Sequence, residues 1–526
     1  MEPIPTSVAK GIRIFLKPVR LTYNSLLPFS AVWCIYSRVF IPVFIFIALV
    51  CGRCASPTVP VNKAKEEIMT SSNPSTRTRY GERVLAVEPY GTQPISLAER
   101  HGSVRMQFTL WLGSNLTIAD FALGFLPISL GLSWGWTLAA ILIGNILGAF
   151  VLAACAAMGP TYGSPQLIIG RYSFGRVGGY LPAVLNYVST IGWFSVNNIL
   201  GTFGLQVLFP RLAFWEGALI LVVIQGLLAI YGHNLIHTYE RIMAVVLGVL
   251  FFIATVIALT HHQSLAAYHP HTHGTLTLFA IMVAAAFSYI GSWGPYASDY
   301  SRYLKPSTSK TQVFVFAFLG SFIASVWLEL VGAAVAVLAA SQHGNAISDL
   351  HSVMGGFGAV ATIAIILGGT AADALNLYSN SLSAGAMDIR LPRWTLAVAA
   401  SIIGLALSLA GSGGFESYYD NFLLMLGYWI MPWMGVLFAD FYVLKTHRDV
   451  ADDTRNRTAV QWPGLVSFLV GFLVSIPFMS TTLYTGAIAH RLGGADLTFY
   501  VGFLVSFLCY FLFKRTGQSR VQRQSL

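Results

Sequence analysis

Four groups of side chains in this 526-residue chain could do chemistry. Trp193 and Asn197 stand four residues apart, so a ring and an amide share one helical face. Ser292 and Trp293 lie between Gly291 and the Gly294–Pro295 pair. Thr370, Asp373 and Asn376 recur every three residues, again on one face. Asp120 stands with Asn115 and Thr117 inside an apolar run. Nothing here pairs a nucleophile with a base or gathers metal ligands. Rings that stack and amides that both donate and accept suit non-covalent binding of a flat polar heterocycle. Carboxyl groups in apolar runs suit proton or cation handling. The competing readings are packing for Trp193, an interhelical hydrogen bond for Asn197, and a polar network among Asp373, Asn376, Tyr378 and Ser379.

The elements that hold these residues are membrane spans. The chain is 55% hydrophobic and only 10% charged, and many of its runs pass the ~20 residues that cross a bilayer. Twelve apolar segments run near 106–131, 135–158, 178–209, 213–232, 238–260, 275–303, 312–340, 357–387, 394–412, 417–445, 461–482 and 496–514. The net charge of +10 does not point to nucleic acid, because the basic residues sit in short loops as an orientation signal does. If the tail after Met69 is inside, the inner loops hold Arg171, Arg176, Arg241, Arg302, Lys305, Lys310, Arg390, Arg393, Lys445 and Arg448. The outer loops hold only Arg211 and Arg491. Both termini are therefore expected in the cytoplasm and the protein in the plasma (inner) membrane, with the lipid bilayer as its solvent.

Residues 1–68 read as an extension outside the native protein. Their apolar run from Leu26 to Val50 is broken by Arg38, and taken as a true span it would invert every later loop. Translation is expected to start at Met69, with 69–105 a cytoplasmic tail and 515–526 another. The five Cys show no disulfide or metal framework, and no cofactor is expected. The loop 261–273 holds five His, more in keeping with a solvated loop than with a metal site.

Spans 1 and 6 share a peculiarity. Asn115, Thr117, Asp120, Gly124 and Pro127 make span 1 polar and interrupted; Gly291, Gly294 and Pro295 break span 6 among Ser288, Tyr289, Trp293 and Tyr296. A broken helix in lipid needs protein, water or ligand at its freed backbone. Five helices separate the two, an odd number, so the second set enters the membrane from the opposite side. This is the pattern of an inverted repeat around a central site. The sets are 106–260 and 275–445, and spans 11 and 12 (461–514) are peripheral. Asp420 and Asp440, near the ends of span 10, are expected to snorkel outward.

Three blocks carry a likeness: TYGSPQLIIGRYSFGRVGGYLPAVLNYVSTIGWFSVNN, SWGPYASDYSRY and ALNLYSNSLSAG. From about Val87 to Lys514 the chain resembles the purine–cytosine permeases, a branch of the nucleobase:cation symporter-1 family. The resemblance implies an all-α integral membrane protein of twelve transmembrane helices, with the 5+5 inverted repeat of the amino-acid transporter LeuT and broken helices 1 and 6. It implies a secondary active transporter, not an enzyme, importing a nucleobase (cytosine or a purine) by cation symport through alternating access. By that likeness Trp193 and Asn197 match the stacking ring and amide of span 3. Trp293, beside Ser292, matches the stacking ring of span 6, Asn376 matches the span 8 amide, and Asp120 faces the ligand from span 1. Sodium-coupled relatives pair two hydroxyls in span 8 where this chain reads Thr370, Ala371 and Ala372. Losing one hydroxyl weakens a site that needs several oxygens around a hard cation, so Asp373 and Asp120, with Thr370, are expected to couple a proton rather than sodium. The alternatives are another heterocycle (allantoin, a hydantoin or a vitamin), a membrane-embedded enzyme, or a channel.

Overall fold

The computed structural model describes residues 90–231, 233–270, 276–339, 345–445 and 459–524. Residues 1–68 and the expected start at Met69 lie outside the described residues, as does most of the 69–105 tail. In lipid an apolar run satisfies its backbone by becoming a helix, and helix occupies all twelve predicted segments. Among the described residues eight helices are long and apolar enough to cross a membrane, nine if the bent pair Arg105–Asn115 and Ile118–Ser129 is one span. The other three segments hold Tyr180–Leu208, rich in buried polar residues, and two shorter apolar helices. No sheet forms among the described residues; one isolated bridge joins Ser480 and Thr485.

Span 1 is α1 (Arg105–Asn115) and α2 (Ile118–Leu123), and span 2 is α3 (Trp134–Ala156). A short α4 (Gln166–Phe174) leads into α5 (Tyr180–Leu208), α6 (Phe214–Tyr231) and α7 (His233–Thr260). The second set is α8 (Leu276–Gly291), α9 (Ser298–Ser301), α10 (Lys310–Ala339), the short α11 (Ala346–Val353), α12 (Gly358–Ala386), α13 (Arg393–Gly411) and α14 (Phe415–Leu437). Last come α15 (Trp462–Ser475) and α16 (Thr498–Gln524), packed on α14 and on each other.

The packing repeats itself with the two sets exchanged. α1 lies on α10, the helix after the second broken span, and α8 lies on α3, the helix after the first. α5 runs along its counterpart α12; α7 meets α1 and α12, while α14 meets α8 and α5. Small residues permit these crossings, as they do between membrane helices generally. A Cβ on Gly144 would come within 2.7 Å of the Val283 carbonyl oxygen. On the other side, one on Gly332 would reach 2.1 Å from Phe121 O and one on Gly124 2.2 Å from Glu329 O.

The break in span 6 falls where glycine and proline predict. α8 stops at Gly291, one 3₁₀ turn covers Gly294–Tyr296, and helix resumes at Ser298. Span 1 breaks earlier than Gly124 and Pro127 suggest. Leu116 leaves helical geometry at φ −76°, ψ 64°, and the extended Thr117 caps α2 by accepting the Asp120 amide at 3.3 Å. The halves meet at 57°. A side-chain acceptor offering the backbone an alternative partner replaces glycine here.

One expected charge placement is corrected. Asp440 does not snorkel: it is fully buried on a π-helical stretch, Phe438–Leu444, that continues α14. The wider turn shifts side chains around the helix, and Asp440 accepts the Ser173 hydroxyl at 2.5 Å.

Basic groups gather at one end of the bundle. Arg171 of α4 donates to Ala386 O at 2.7 Å and to Asp388 at 3.1 Å; Arg176 reaches Asp388 at 2.7 Å, and the Tyr180 hydroxyl also donates to it. Burial raises the Asp388 carboxyl, but Tyr180, Arg176 and Arg171 outweigh that and hold it below the usual carboxylate range. The buried Arg302 donates to Gly91 O at 2.7 Å and to the Tyr378 hydroxyl at 3.1 Å, which pins the incoming tail to span 8.

Candidate functional site

The two breaks are joined directly. Thr117, which caps α2, shares a hydrogen bond of 2.7 Å with the Tyr289 hydroxyl from the last turn of α8. Three residues on, Ser292 donates to Tyr289 O at 2.8 Å and accepts the indole N–H of Trp193 at 3.0 Å. Spans 1, 3 and 6 thus meet in one chain of hydrogen bonds. The Trp193 ring is 5% exposed, edge-on to Tyr289 at 5.3 Å and to Phe422 at 5.2 Å.

One turn along α5 the amides take over. Asn197 donates to Oδ1 of Asp373 at 3.0 Å, Asn376 donates to the same oxygen at 3.4 Å, and the Tyr296 hydroxyl donates to Oδ1 of Asn376 at 3.3 Å. Asp373 therefore organises both amides, a role its spacing alone did not reveal. Two buried acceptors on this edge, Oδ1 of Asn197 and Oδ2 of Asp373, have no hydrogen-bond partner. Buried acceptors are nearly always satisfied, and these two could each accept an N–H group. Trp293, 5% exposed, stands edge-on to Trp111 at 5.6 Å and beside Tyr296 at 5.3 Å. Among the described residues no ring contact joins Trp193 and Trp293 directly. Thr370 donates to its own helix, to Ile366 O at 2.8 Å.

Asp120 faces elsewhere. It is fully buried against Ser325 and Glu329 of α10, and Asn145 of α3 lies against Glu329. Glu329 is the one acid in that 30-residue helix, and an acid inside an apolar span is itself a functional signal. The sequence reading passed it over. Glu240 of α7 is the third residue of the apolar segment 238–260, where a charge reads as belonging to the span end. It is fully buried, and a Cβ on Gly113 would lie 2.6 Å from its carboxyl. His237, also buried, likewise belongs to α7.

In the loop after α7, His261, His262 and His269 are exposed; residues 271–275 lie outside the described residues. No group of three or more His, Cys, Asp or Glu is placed to hold a metal among the described residues.

Two interlocked five-helix sets that bring two broken helices together around buried rings and amides define a multi-pass membrane transporter, not an enzyme. The backbone is similar to that of Mhp1, a nucleobase-cation-symport-1 family transporter in a closed conformation with bromovinylhydantoin bound. The TM-score is 0.68 at 18% identity, over 82% of this chain and 95% of that one, so the fold is LeuT-like. A family model described as permease for cytosine/purines, uracil, thiamine, allantoin matches residues 94–505, and the chain belongs to that family. Among its relatives are the putative purine-cytosine permease YxlA of Bacillus subtilis, 28% identical over 81% of this chain and 96% of YxlA, and the purine-cytosine permease fcyB of Emericella nidulans, 26% identical over 81% and 88%.

Proposed function

We propose that this protein imports a nucleobase, cytosine or a purine, together with a proton, by alternating access. The observation that carries the reading is the buried polar edge formed by Asn197, Asp373 and Asn376, with Trp193 and Trp293 nearby. Its two unpartnered acceptors match the N–H groups of a base, and its amide donors match ring nitrogens and carbonyls. Stacking of a base on an aromatic ring adds about 1–3 kcal/mol. Substrate binding is assigned to Trp193, Asn197, Ser292, Trp293 and Asn376.

Proton coupling is supported by the buried carboxyl groups Asp120 and Asp373 and by the single hydroxyl, Thr370, that α12 offers where sodium-coupled relatives pair two. Arg171, Arg176 and Arg302 share the bundle end that receives the tail at Gly91. Together with the basic inner loops this supports a plasma-membrane protein with both termini in the cytoplasm.

Uptake of a radiolabelled panel into proteoliposomes under imposed proton or sodium gradients tests the reading. Cytosine, adenine and hypoxanthine are expected to accumulate with a proton gradient. Accumulation of allantoin or a vitamin but of no base, or drive by sodium alone, overturns it.

A further inference from the structure

The contact between Asp120 and Glu329 has no use in holding a base. Both side chains are fully buried, on helices that cross with no clearance at Gly124 and Gly332. Neither acid forms an ion pair among the described residues. Among the described residues the four carboxyl oxygens meet no donor in strict hydrogen-bond geometry; the polar groups beside them are the Ser325 hydroxyl, next to Asp120, and the Asn145 amide, next to Glu329. The Asn145 amide donates to Ile141 O at 2.9 Å. The Ser325 hydroxyl and the Asn145 N–H not given to Ile141 offer at most two hydrogens to four carboxyl oxygens, and the shortfall is filled most simply by a hydrogen on a carboxyl group.

We propose that the Asp120–Glu329 carboxyl pair is the site that carries the coupling proton, which makes Glu329 of α10 a proton-coupling residue. The inference rests on the reading of the protein as a proton-driven importer and adds the place where the proton sits. Two carboxylates in contact in a low-dielectric interior repel strongly, so the pair closes when it gains a proton and is pushed apart when it loses one. The crossing at Gly124 and Gly332 sets the near limit of that movement, because α2 already lies against α10 there. The state of the pair reaches the base site through hydrogen bonds already described. Asp120 N donates to Thr117, Thr117 pairs with Tyr289, and Ser292, bonded to Tyr289, holds Trp193. A proton taken up on the outer side is released on the inner side after α2 moves; no bond other than O–H is made or broken.

Other groups bear on the pair. Tyr289 of α8 and Tyr419 of α14 are close enough to feel its charge, and Asp420 lies beside Tyr419. The Tyr419 hydroxyl is engaged with Ala119 O at 2.9 Å. Asp373 of α12, held by Asn197 and Asn376, and Asp349 of α11 belong to helices that also touch α2. The nearby turn of α5 holds Trp193 and Asn197, which do not titrate. Glu240 of α7 meets α1 at Gly113, on the other side of the break from Asp120.

The test uses the full chain in proteoliposomes containing a pH-sensitive dye, with radiolabelled cytosine and hypoxanthine. Proton-driven accumulation and gradient-free counterflow are measured on the same vesicles. For Glu329→Gln and Asp120→Asn the ratio of accumulation to counterflow is expected to fall at least tenfold, with loss of the dye signal. Glu329→Asp, which keeps the carboxyl, is expected to recover part of both. Base binding to the purified variants in detergent reports whether the site survives. A wild-type ratio in Glu329→Gln overturns the proposal. So does loss of base binding in that variant, which would assign Glu329 to the base site. If the wild type itself responds to sodium and not to protons, the proton-driven reading fails first, and the variants are not needed to see it.

Discussion

Replacing Asn376 probes the base site where its geometry is most specific. This amide is 1% exposed, donates to Asp373 Oδ1 at 3.4 Å and accepts the Tyr296 hydroxyl at 3.3 Å. Asn376→Ala removes one reader of the base and frees Asp373 from half its fixed orientation. Loss of a buried hydrogen-bonding partner costs about 1–3 kcal/mol. At about 1.4 kcal/mol per tenfold, the apparent affinity should fall roughly 5- to 150-fold. The same change strands the Tyr296 hydroxyl, so the empty protein should also lose some stability. Tyr296→Phe separates the two effects: it breaks the Tyr296 contact but leaves the amide, and should cost base affinity far less. Competition of unlabelled bases against labelled cytosine uptake, with thermal melts in detergent alongside, gives both numbers. An Asn376→Ala protein that takes up every base with unchanged apparent affinity would refute the assignment of the polar edge to the substrate.

Trp293→Ala should weaken base binding about tenfold or more, since one stacking surface is worth about 1–3 kcal/mol; titration of purified protein with cytosine checks it, and an unchanged affinity moves the stack elsewhere. A protonophore should abolish accumulation in intact cells while choline in place of sodium leaves it intact; the reverse result removes the proton. The ion pairs of Asp388 set a pH dependence. Its carboxyl is lower when folded than the ordinary value near 3.9, so its contribution is fully present above that value and is lost as pH falls through the folded one. The Tm difference between wild type and Asp388→Asn should hold steady above about pH 5 and shrink below about pH 4; a difference that grows on acidification contradicts the sign.

How far the sequence foretold this depends on what made each feature visible. The span 6 break was legible because Gly291, Gly294 and Pro295 are local signals that act through the backbone. The span 1 break was displaced by several residues because neither Leu116 nor Thr117 breaks helices by type; a cap takes effect only when its partners are in place. Trp193, Asn197, Asp373 and Asn376 were legible as faces of helices. That Asp373 binds both amides was not, since nothing in one strip of sequence says which helix lies opposite. Glu329 was legible in the same way as Asp120, as a lone acid in an apolar run. Glu240 lay near the start of its apolar segment, where an acid is unremarkable, and only the packing of α7 on α1 at Gly113 shows it buried. Asp440 looked like a terminal charge until the π-helical turn carried it inward.

The exchange of packing partners between the two sets bears on how such a chain is made. When α1–α7 have entered the bilayer, α10 and α8 have not yet been synthesised. α1 and α3 therefore wait with their closest-fitting faces unmatched, and with Asp120 and Asn145 short of their final surroundings. Contacts within the first set, such as α7 on α1 and α6 on α5, can form early, but those between the sets wait for α8 and α10. A chain halted after α7 would present unmatched polar groups within the membrane, the kind of surface that chaperones and proteases engage. Two separately synthesised halves, divided between α7 and α8, would each supply what the other lacks.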